Sequence, residues 1–344
     1  MNDASRGSSS ITQAVLADLP AFRLGNATDA QAGTGTTVIV AHGGAVGGVS
    51  VRGGGPATRE TDLLRPENMV EQVFAVMLSG GSAFGLAAAD GVMLALEEAG
   101  IGLKFAGMCV PIVPSACLFD LLIGDATVRP DASFGRVAVQ AALEGVPFEE
   151  GAVGAGTGAS VGKLLGPDHA MKSGLGLQVL RFGDVVVGAV VAVNACGCVI
   201  DRDGSVIAGM RDEAGQLLPA DSIVPASLAV LQGLGAFDAD EGVSGIANTT
   251  IGCIMTNAVL TKAQASKVAD MTHDAFARAI MPVHTPNDGD TVFCLASGEV
   301  GNLFDPVSTV GILACEAMQQ AVYRAVHSAQ GAYGLPAAGD MRVQ

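Results

Sequence analysis

Continuous apolar runs, rather than strict alternation, are the main hydrophobic pattern along this chain. Runs of this kind bounded by turn residues predict buried strands. The longest run, Val185–Ile200, has 16 residues and is interrupted by Asn194, so it is too short for a membrane-spanning helix and predicts a buried strand. The predicted strands are Thr36–Ala41, Val73–Leu78, Gly176–Phe182, Val185–Val193, Thr249–Leu260 and Thr291–Ala296.

Helical periodicity is clearest in the last third of the chain. Thr261 followed by Gln264 has the spacing of a capping box. Apolar residues between Val268 and Ile280 then recur on one helical face. Two further helices are predicted, at Phe84–Glu98 with Ser82 as its cap and at about Val307–Gln330.

Two segments lack a clear period. Residues 1–25 are expected to be loosely ordered, and residues 201–245 to form an exposed linker. Strands and helices in these proportions favour layered α/β or α+β packing. The length of 344 residues is compatible with one large domain or with two.

Composition and charge exclude several classes of protein. Hydrophobic residues make up 49% and charged residues 15%, which supports a large core and excludes a disordered chain. The net charge of −16 argues against a nucleic-acid partner, because phosphates require Lys and Arg. The 47 glycines with only 4% aromatic residues favour backbone layers in close contact.

Cysteine usage and the N-terminal sequence indicate a compartment. Seven scattered cysteines in apolar segments predict reduced, buried thiols in the cytoplasm. The first residues lack the apolar region of a signal peptide, and no segment is suited to a membrane partner.

Several familiar motifs fail on inspection. The segment GASVGK has Thr157 where a phosphate-binding loop needs glycine and Leu164 where it needs Ser or Thr. GGSAFG has Phe84 in place of the last glycine of a serine-hydrolase elbow. The five histidines show no zinc-binding spacing, and Asp288 and Asp290 lack the ligand run of a calcium loop.

The segment Asn248-Thr249-Thr250 is ordinary by itself, because Asn favours turns and Thr favours strands. Its context is more informative. In order along the chain, the blocks are VRGGGPATRETDLL, LSGGSAFGLAAADGV, VPIVPSACLFDL, GAGTGASVGK, Val190–Gly197, ANTTIG and DGDT. Together they resemble the P1 peptidase family, which contains L-aminopeptidase/D-amidase-esterases, β-peptidyl aminopeptidases and the 6-aminohexanoate-oligomer endohydrolase. The resemblance extends from about His42 to Gly334.

This resemblance implies a single-domain, self-processing hydrolase of the N-terminal-nucleophile type with an α+β fold, a layered αββα sandwich. The cut would fall between Asn248 and Thr249 and leave fragments 1–248 and 249–344 associated. Cleavage would give Thr249 a free α-amine, whose usual pKa of about 7.7–8.0 makes it a base for the Thr249 hydroxyl at neutral pH.

The same resemblance implies the remaining roles. Lys163 matches the active-site lysine, and Asn194 the asparagine that donates to the oxyanion. Asp288 and Asp290 are expected to orient the Thr249 amine and Lys163, since alternate residues of an extended chain share a face. Phe119 stands where some members have a tyrosine, which implies a substrate-binding position without the hydroxyl.

Substrate identity stays open between two branches of the family. The two aspartates with a threonine nucleophile resemble the nylon-oligomer branch, whereas RGGGPATRETDLL resembles the aminopeptidase branch. Expected substrates are short peptides or amino-acid amides, or alternatively 6-aminohexanoate oligomers cleaved internally. No metal or organic cofactor is implied, and a homo-oligomer, a tetramer or larger, is expected. The alternative of another class is a non-catalytic binding protein with the same fold.

Overall fold

Two mixed β-sheets joined by one long strand form the middle of the molecule. The structure is a computed structural model, and it describes residues 10–233 and 248–342. The strands are β1 Thr12–Gln13, β2 Phe22–Asp29, β3 Thr34–Val51, β4 Ala57–Arg59, β5 Val73–Ser79, β6 Leu103–Phe105, β7 Met108–Val110, β8 Ser115–Cys117, β9 Ser160–Val161, β10 Met171–Lys172, β11 Leu175–Phe182, β12 Val185–Asn194, β13 Cys198–Ile200, β14 Val206–Ala208, β15 Thr249–Ala258, β16 Ile280–Met281 and β17 Thr291–Val300. The α-helices are α1 Ala88–Glu98, α2 Ala132–Glu144, α3 Ala220–Leu231, α4 Lys262–Ala279 and α5 Pro306–His327.

The long strand β3 belongs to both sheets. Its first part pairs with β2 and β5, and its register shifts between Val40 and Ala45. Its last part, from Val46 to Val51, pairs with β17. The first sheet therefore has the order β1-β11-β12-β15-β17-β3, and the second continues through β3-β5-β8-β4 with β2 also on β3. The β15–β17 and β5–β8 pairs are parallel, whereas the other pairs in these sheets are antiparallel.

The apolar faces of the sheets account for the layers. Ile39 and Val76 of the second sheet pack with Val190, Ile251 and Phe293 of the first in one buried cluster between them. On the outer faces, α4 and α5 cover the first sheet and α1 and α2 the second. Burying a large apolar side chain such as Phe293 contributes about 1.5–3 kcal/mol. The α+β fold, an αββα sandwich, is thus confirmed.

Glycines allow the helices to lie very close to the sheets. A Cβ atom at Gly25 would collide with the backbone of α2, one at Gly48 with that of α4, and one at Gly176 with that of α5. Because such collisions involve backbone atoms, small shifts cannot relieve them. The prediction of closely packed backbone layers is confirmed at these positions.

The predicted elements of the last third are confirmed most closely. The N–H of Thr261 donates to Gln264 Oε1 at 2.9 Å, and the N–H of Gln264 donates to Thr261 Oγ1 at 3.3 Å, which completes the capping box of α4.

All seven cysteines are free thiols, and all except the half-buried Cys109 are buried. No helix in the described part of the chain is long and apolar enough to cross a membrane.

Four local predictions were wrong. Residues 10–25 are ordered rather than loose, because β1 pairs with β11 and β2 begins at Phe22; residues 1–9 lie outside the described residues. The helix predicted from Phe84 begins at Ala88, after a 3-10 turn at Ser82–Ala87 in which Ser82 makes no cap. The run ending at Ile200 is two strands, since β12 stops at Asn194.

The predicted linker 201–245 contains β14 and α3 in its described part. Ile223 of α3 is fully buried against Leu164, Cys198 and Met210, and this packing stabilises a helix despite the internal Pro225. The segment DADEG at 238–242 lies outside the described residues.

Candidate active site

The predicted nucleophile Thr249 and the predicted oxyanion asparagine Asn194 meet across two neighbouring strands. Asn194 is the last residue of β12, Thr249 is the first residue of β15, and the two are partners in the antiparallel register. Residues directly opposite in such a ladder have Cα atoms about 4.5–5.5 Å apart. The sheet therefore places the two side chains side by side. Because both residues are almost fully buried, the site excludes bulk water.

The Thr249 hydroxyl lies against the carbonyl group of the preceding residue. Its Oγ1 atom donates a short hydrogen bond to the Asn248 carbonyl oxygen. That carbonyl also accepts from the N–H of Gly289 at 2.9 Å. A Cβ atom at Gly289 would lie 2.7 Å from Thr249 Oγ1, so glycine is needed there for the hydroxyl to keep its position. Gly289 was not identified from the sequence.

Lys163 and Asn194 form one hydrogen-bonded unit. Lys163 Nζ donates to Asn194 Oδ1 at 2.7 Å and to its backbone oxygen at 3.0 Å. The N–H of Ser160 also donates to Oδ1 at 3.1 Å, and Asn194 Nδ2 donates to the Phe119 carbonyl at 2.8 Å. Because Oδ1 faces only donors and Nδ2 faces an acceptor, the orientation of the amide is determined. One N–H of Nδ2 is used by Phe119, and an amide nitrogen has two.

The environment of Lys163 shifts its titration toward neutral pH. Burial lowers the pKa of Lys163 to about 8, against the negative charges of Asp288, Asp120 and Asp290, which raise it. Lys163 begins a 3-10 turn directly after Gly162, whose φ of +73° is a conformation that favours glycine. The turn brings the side chain back toward the end of β12.

The two aspartates contact the residues that directly precede and follow Thr249 in the chain. Asp288 forms an isolated parallel bridge with Asn248, and its Oδ2 accepts from the N–H of Thr285 at 2.6 Å. Asp290 Oδ1 accepts from the N–H of Thr250 at 2.6 Å. Burial and the neighbouring charge of Asp290 raise the pKa of Asp288.

A two-residue turn comes directly before the segment that carries the two aspartates. Residues 286–287 form the turn, and β17 begins only at Thr291. Asp288 bridges to Asn248, and Asp290 accepts from the N–H of Thr250. The two aspartates therefore lie close to Thr249 from both sides.

His284 supports Asp290 and was not identified from the sequence. Its Nδ1 lies 2.8 Å from Asp290 Oδ2, and its backbone N–H donates to the same oxygen at 3.2 Å. His284 has a φ of +58°, which is uncommon for a residue other than glycine. Isolated histidines carry no local signal for such a contact, so only the tertiary structure shows it.

The glycines of the block VRGGGPATRETDLL pack directly on the segment Asp288–Asp290. The N–H of Gly53 donates to the Asp290 carbonyl at 3.3 Å, and that of Gly55 to the Asp288 carbonyl at 2.8 Å. A Cβ atom at Gly53 would collide with the backbone of both aspartates. The three consecutive glycines at 53–55 therefore border the site.

An apolar cavity of about 70 Å³ adjoins Lys163. Phe119, whose carbonyl accepts from Asn194, forms part of its wall. Leu122 is 69% exposed at its edge. The remaining lining residues are Asp120, Ile123, Ser160, Gly166, Pro167, Ala170 and Leu335. A cavity of this character suits an aliphatic group.

Asp120 is the acidic residue of this wall, and it is held internally. Its two carboxylate oxygens accept from the N–H of Gly81 at 2.7 Å and from Thr34 Oγ1 at 2.8 Å. Burial raises the pKa of Asp120 against these hydrogen bonds. Among residues 10–233 and 248–342 there is no group of three or more His, Cys, Asp or Glu that could hold a metal ion.

Comparison with known proteins supports the family resemblance. The model of Peptidase family S58 matches residues 14–337. An uncharacterized aminopeptidase of Mycobacterium tuberculosis is 43% identical over 326 residues, covering 89% of each chain. The 6-aminohexanoate-oligomer endohydrolase of Paenarthrobacter ureafaciens is 32% identical over 325 residues, covering 90% of this chain and 84% of the relative.

A solved structure supports the fold. The L-aminopeptidase D-Ala-esterase/amidase of Ochrobactrum anthropi, described as a variant of the Ntn hydrolase fold, superposes with a TM-score of 0.63. Its sequence is 17% identical, and the match covers 92% of this chain and 87% of that one. The sandwich, the family model and the two relatives agree, and the chain therefore belongs to peptidase family S58 and is a hydrolase of amide bonds.

Proposed function

We propose that the chain cleaves itself between Asn248 and Thr249 and then acts as an aminopeptidase or amidase with Thr249 as nucleophile. The observation that carries this proposal is the hydrogen bond from Thr249 Oγ1 to the Asn248 carbonyl oxygen. It places the hydroxyl beside the bond that has to break. A hydroxyl buried opposite Asn194 is positioned for attack rather than for contact with solvent.

In this proposal, self-cleavage takes two steps. Thr249 Oγ1 attacks the Asn248 carbonyl carbon, and the acyl group moves from the Thr249 nitrogen to the oxygen while the nitrogen takes up the proton. Water hydrolyses the resulting ester, which leaves a carboxylate on Asn248 and a free α-amine on Thr249. The N–H of Gly289, which already binds the Asn248 oxygen, stabilises the charge on that oxygen during the attack.

Catalysis uses the new amine as a general base. The amine takes the proton of Oγ1 as this oxygen attacks the substrate carbonyl, then returns a proton to the departing amine. The second N–H of Asn194 Nδ2 donates to the oxyanion. Lys163 holds Asn194 Oδ1, and its positive charge keeps the pKa of the Thr249 amine low. Water then releases the acid from Thr249.

The two aspartates divide their work in this proposal. Asp290 is held by the N–H groups of Thr250 and His284, so it serves as an anchor. Asp288 has a raised pKa and lies opposite Asn248, where it is suited to change its protonation as the amine appears. Once the amine has taken the proton of Oγ1, its positive charge and that of Lys163 balance the two carboxylates.

For the substrate, we propose short peptides or amino-acid amides with an aliphatic acyl group. The apolar cavity beside Lys163 supports this class, because burying an aliphatic side chain there strengthens binding. The second candidate, internal cleavage of 6-aminohexanoate oligomers, is supported by the same cavity, by the aspartate pair and by the relative from Paenarthrobacter ureafaciens.

Mass spectrometry of the purified protein tests self-processing. At 34.3 kDa for 344 residues, cleavage at Asn248 should give fragments of about 25 and about 10 kDa that copurify. An intact chain after prolonged incubation, with no hydrolysis of any amide in a panel of amino-acid anilides, β-peptides and 6-aminohexanoate oligomers, would refute the proposal.

We further propose a cytoplasmic homo-oligomer, a tetramer or larger. Ile11, Phe182 and Ile312 border an apolar groove between the edge of the first sheet and α5, and each is at least 40% exposed. Exposed apolar clusters of this kind favour association. Light scattering coupled to size exclusion tests the assembly, and cell fractionation tests the compartment.

A further inference from the structure

Lys172 is fully buried although its side chain carries an ammonium group. Its Nζ atom donates to the backbone carbonyls of Gly156 at 3.2 Å, Ala159 at 2.9 Å and Ser173. An ammonium group has three donors, so these three carbonyls satisfy it. Within the described residues it has no carboxylate partner at ion-pair distance. Burial lowers the pKa of Lys172 to about 7, whereas the charge of Asp120 raises it.

One peptide group connects Lys172 with the proposed oxyanion asparagine. The carbonyl oxygen of Ala159 accepts from Lys172 Nζ and also from the N–H of Ser173 at 3.0 Å. The N–H of Ser160 belongs to the same peptide group and donates to Asn194 Oδ1 at 3.1 Å. Because the peptide group is planar, holding its oxygen also sets the direction of its N–H. A cation at the oxygen further polarises the group and strengthens the bond on the other side.

The direction of the Asn194 amide decides where its remaining N–H points. Oδ1 is held by Ser160 and Lys163, and Nδ2 is held by the Phe119 carbonyl. A loss on the Ser160 side allows the amide to rotate about its terminal torsion, which has broad minima. The remaining N–H of Asn194 Nδ2 then no longer points at the oxyanion.

We propose that Lys172 is a positioning residue for the reaction, acting through the Ala159–Ser160 peptide to hold Asn194 in its oxyanion-binding orientation. The proposal rests on the role assigned above to Asn194. Lys172 touches neither the substrate nor Thr249 in this mechanism. Its effect is therefore expected on turnover rather than on substrate binding.

Lys262 offers a matched control for a purely structural role. It is also buried, and its Nζ donates to the backbone carbonyls of Leu63 at 3.0 Å and Asn68 at 2.8 Å. Both partners belong to a segment outside the proposed site. Replacing Lys262 by Met removes a comparable carbonyl-bound ammonium group without touching the Ala159–Ser160 peptide.

The experiment compares Lys172→Met and Lys262→Met in the processed enzyme, with kcat, KM and thermal unfolding measured for each. Both variants should lower the Tm. Only Lys172→Met should lower kcat, on the order of tenfold, which is less than the roughly 10²–10³-fold expected for loss of the donor itself. KM should stay within about twofold of the wild type, because binding does not use Lys172.

A double-mutant cycle with Asn194→Ala shows whether the effect passes through Asn194. In the Asn194→Ala background, Lys172→Met should cause no further loss of kcat. Equal kcat in Lys172→Met and Lys262→Met, or a full additional loss in the double variant, would overturn the inference. Lys172→Leu, which also lacks a donor, replaces the Met variant if that one does not fold, and an unchanged kcat there would count against the inference equally. Unchanged kcat in Asn194→Ala alone would instead refute the proposed role of Asn194.

Discussion

Lys163 Nζ lies 2.7 Å from Asn194 Oδ1, so the proposed active-site cation and the proposed oxyanion donor are partners of each other. A charge-assisted hydrogen bond of this length is stronger than one between neutral groups. The contact turns the amide nitrogen of Asn194 away from the lysine and leaves it one N–H for a ligand. Lys163 therefore affects both the Thr249 amine and the oxyanion site.

Thr249→Ala should give a chain that is neither cut nor active, because both self-cleavage and catalysis need Oγ1. The loss of amidase activity should be at least about 10³-fold, as for other nucleophile deletions. Denaturing electrophoresis and an anilide assay measure the two effects. Thr250→Ala is the control, since it removes the neighbouring buried hydroxyl but keeps Oγ1. A processed Thr249→Ala chain would assign the nucleophile elsewhere.

Gly289→Ala should slow processing and turnover, because the new Cβ would lie 2.7 Å from Thr249 Oγ1 and displace it. Displacing a reacting atom by about 1 Å can cost on the order of 10²-fold in rate. Gly55→Ala is the control, since a Cβ there meets only the Asp288 carbonyl oxygen at 3.9 Å. Equal processing rates in the two variants would show that Oγ1 does not depend on Gly289.

The activity of the wild type should fall as pH rises above about 8, the pKa of Lys163. Deprotonation removes the positive charge, and at one unit above its pKa only about a tenth of the lysine remains charged. Lys163→Arg should move this alkaline limb to higher pH, because a guanidinium group stays protonated. The pH profile of kcat/KM measures the limb, and an identical limb in both enzymes would assign it to another group.

Leu122→Asp should change selectivity at the apolar cavity. It should lower kcat/KM for leucine anilide by about tenfold and raise the relative rate for lysine anilide, because a carboxylate replaces apolar surface at the edge. Leu94→Asp introduces the same charge at a half-exposed position on α1 and should leave selectivity unchanged. Matching selectivity in the two variants would place the acyl group outside the cavity.

The free energy of unfolding should decrease on acidification between pH 6.5 and 4, in part through His273. Burial lowers the pKa of His273 to about 4, so the unfolded chain binds a proton in this range that the folded chain does not. His273→Gln should therefore show a smaller fall in Tm between pH 7 and pH 5 than the wild type. His42→Gln, at an exposed histidine, is the control. An unchanged fall in the His273 variant would contradict this assignment.

Most buried strands were predictable because each is marked in the sequence by a run of neighbouring apolar residues. Val73–Leu78 is apolar throughout and Thr291–Ala296 is apolar after its first residue, and the two runs lie within β5 and β17. The start of α4 was predictable for a similar reason, since the capping box involves only Thr261 and Gln264. By contrast, α3 depends on the contact of Ile223 with residues distant in sequence, so its segment has no decisive local signal.

The sequence by itself determined the family, the strand-rich core and the candidates Lys163, Asn194, Thr249, Asp288 and Asp290, because these depend on residue type, order and spacing. Only the tertiary structure decided which of them touch. Strand register sets Asn194 opposite Thr249, and a turn brings Asp288 to Asn248. The same holds for His284, Gly289 and Lys172, whose partners come from other parts of the chain. Hydrogen bonds act over about 3 Å, and that distance is set by how the layers pack rather than by separation along the chain.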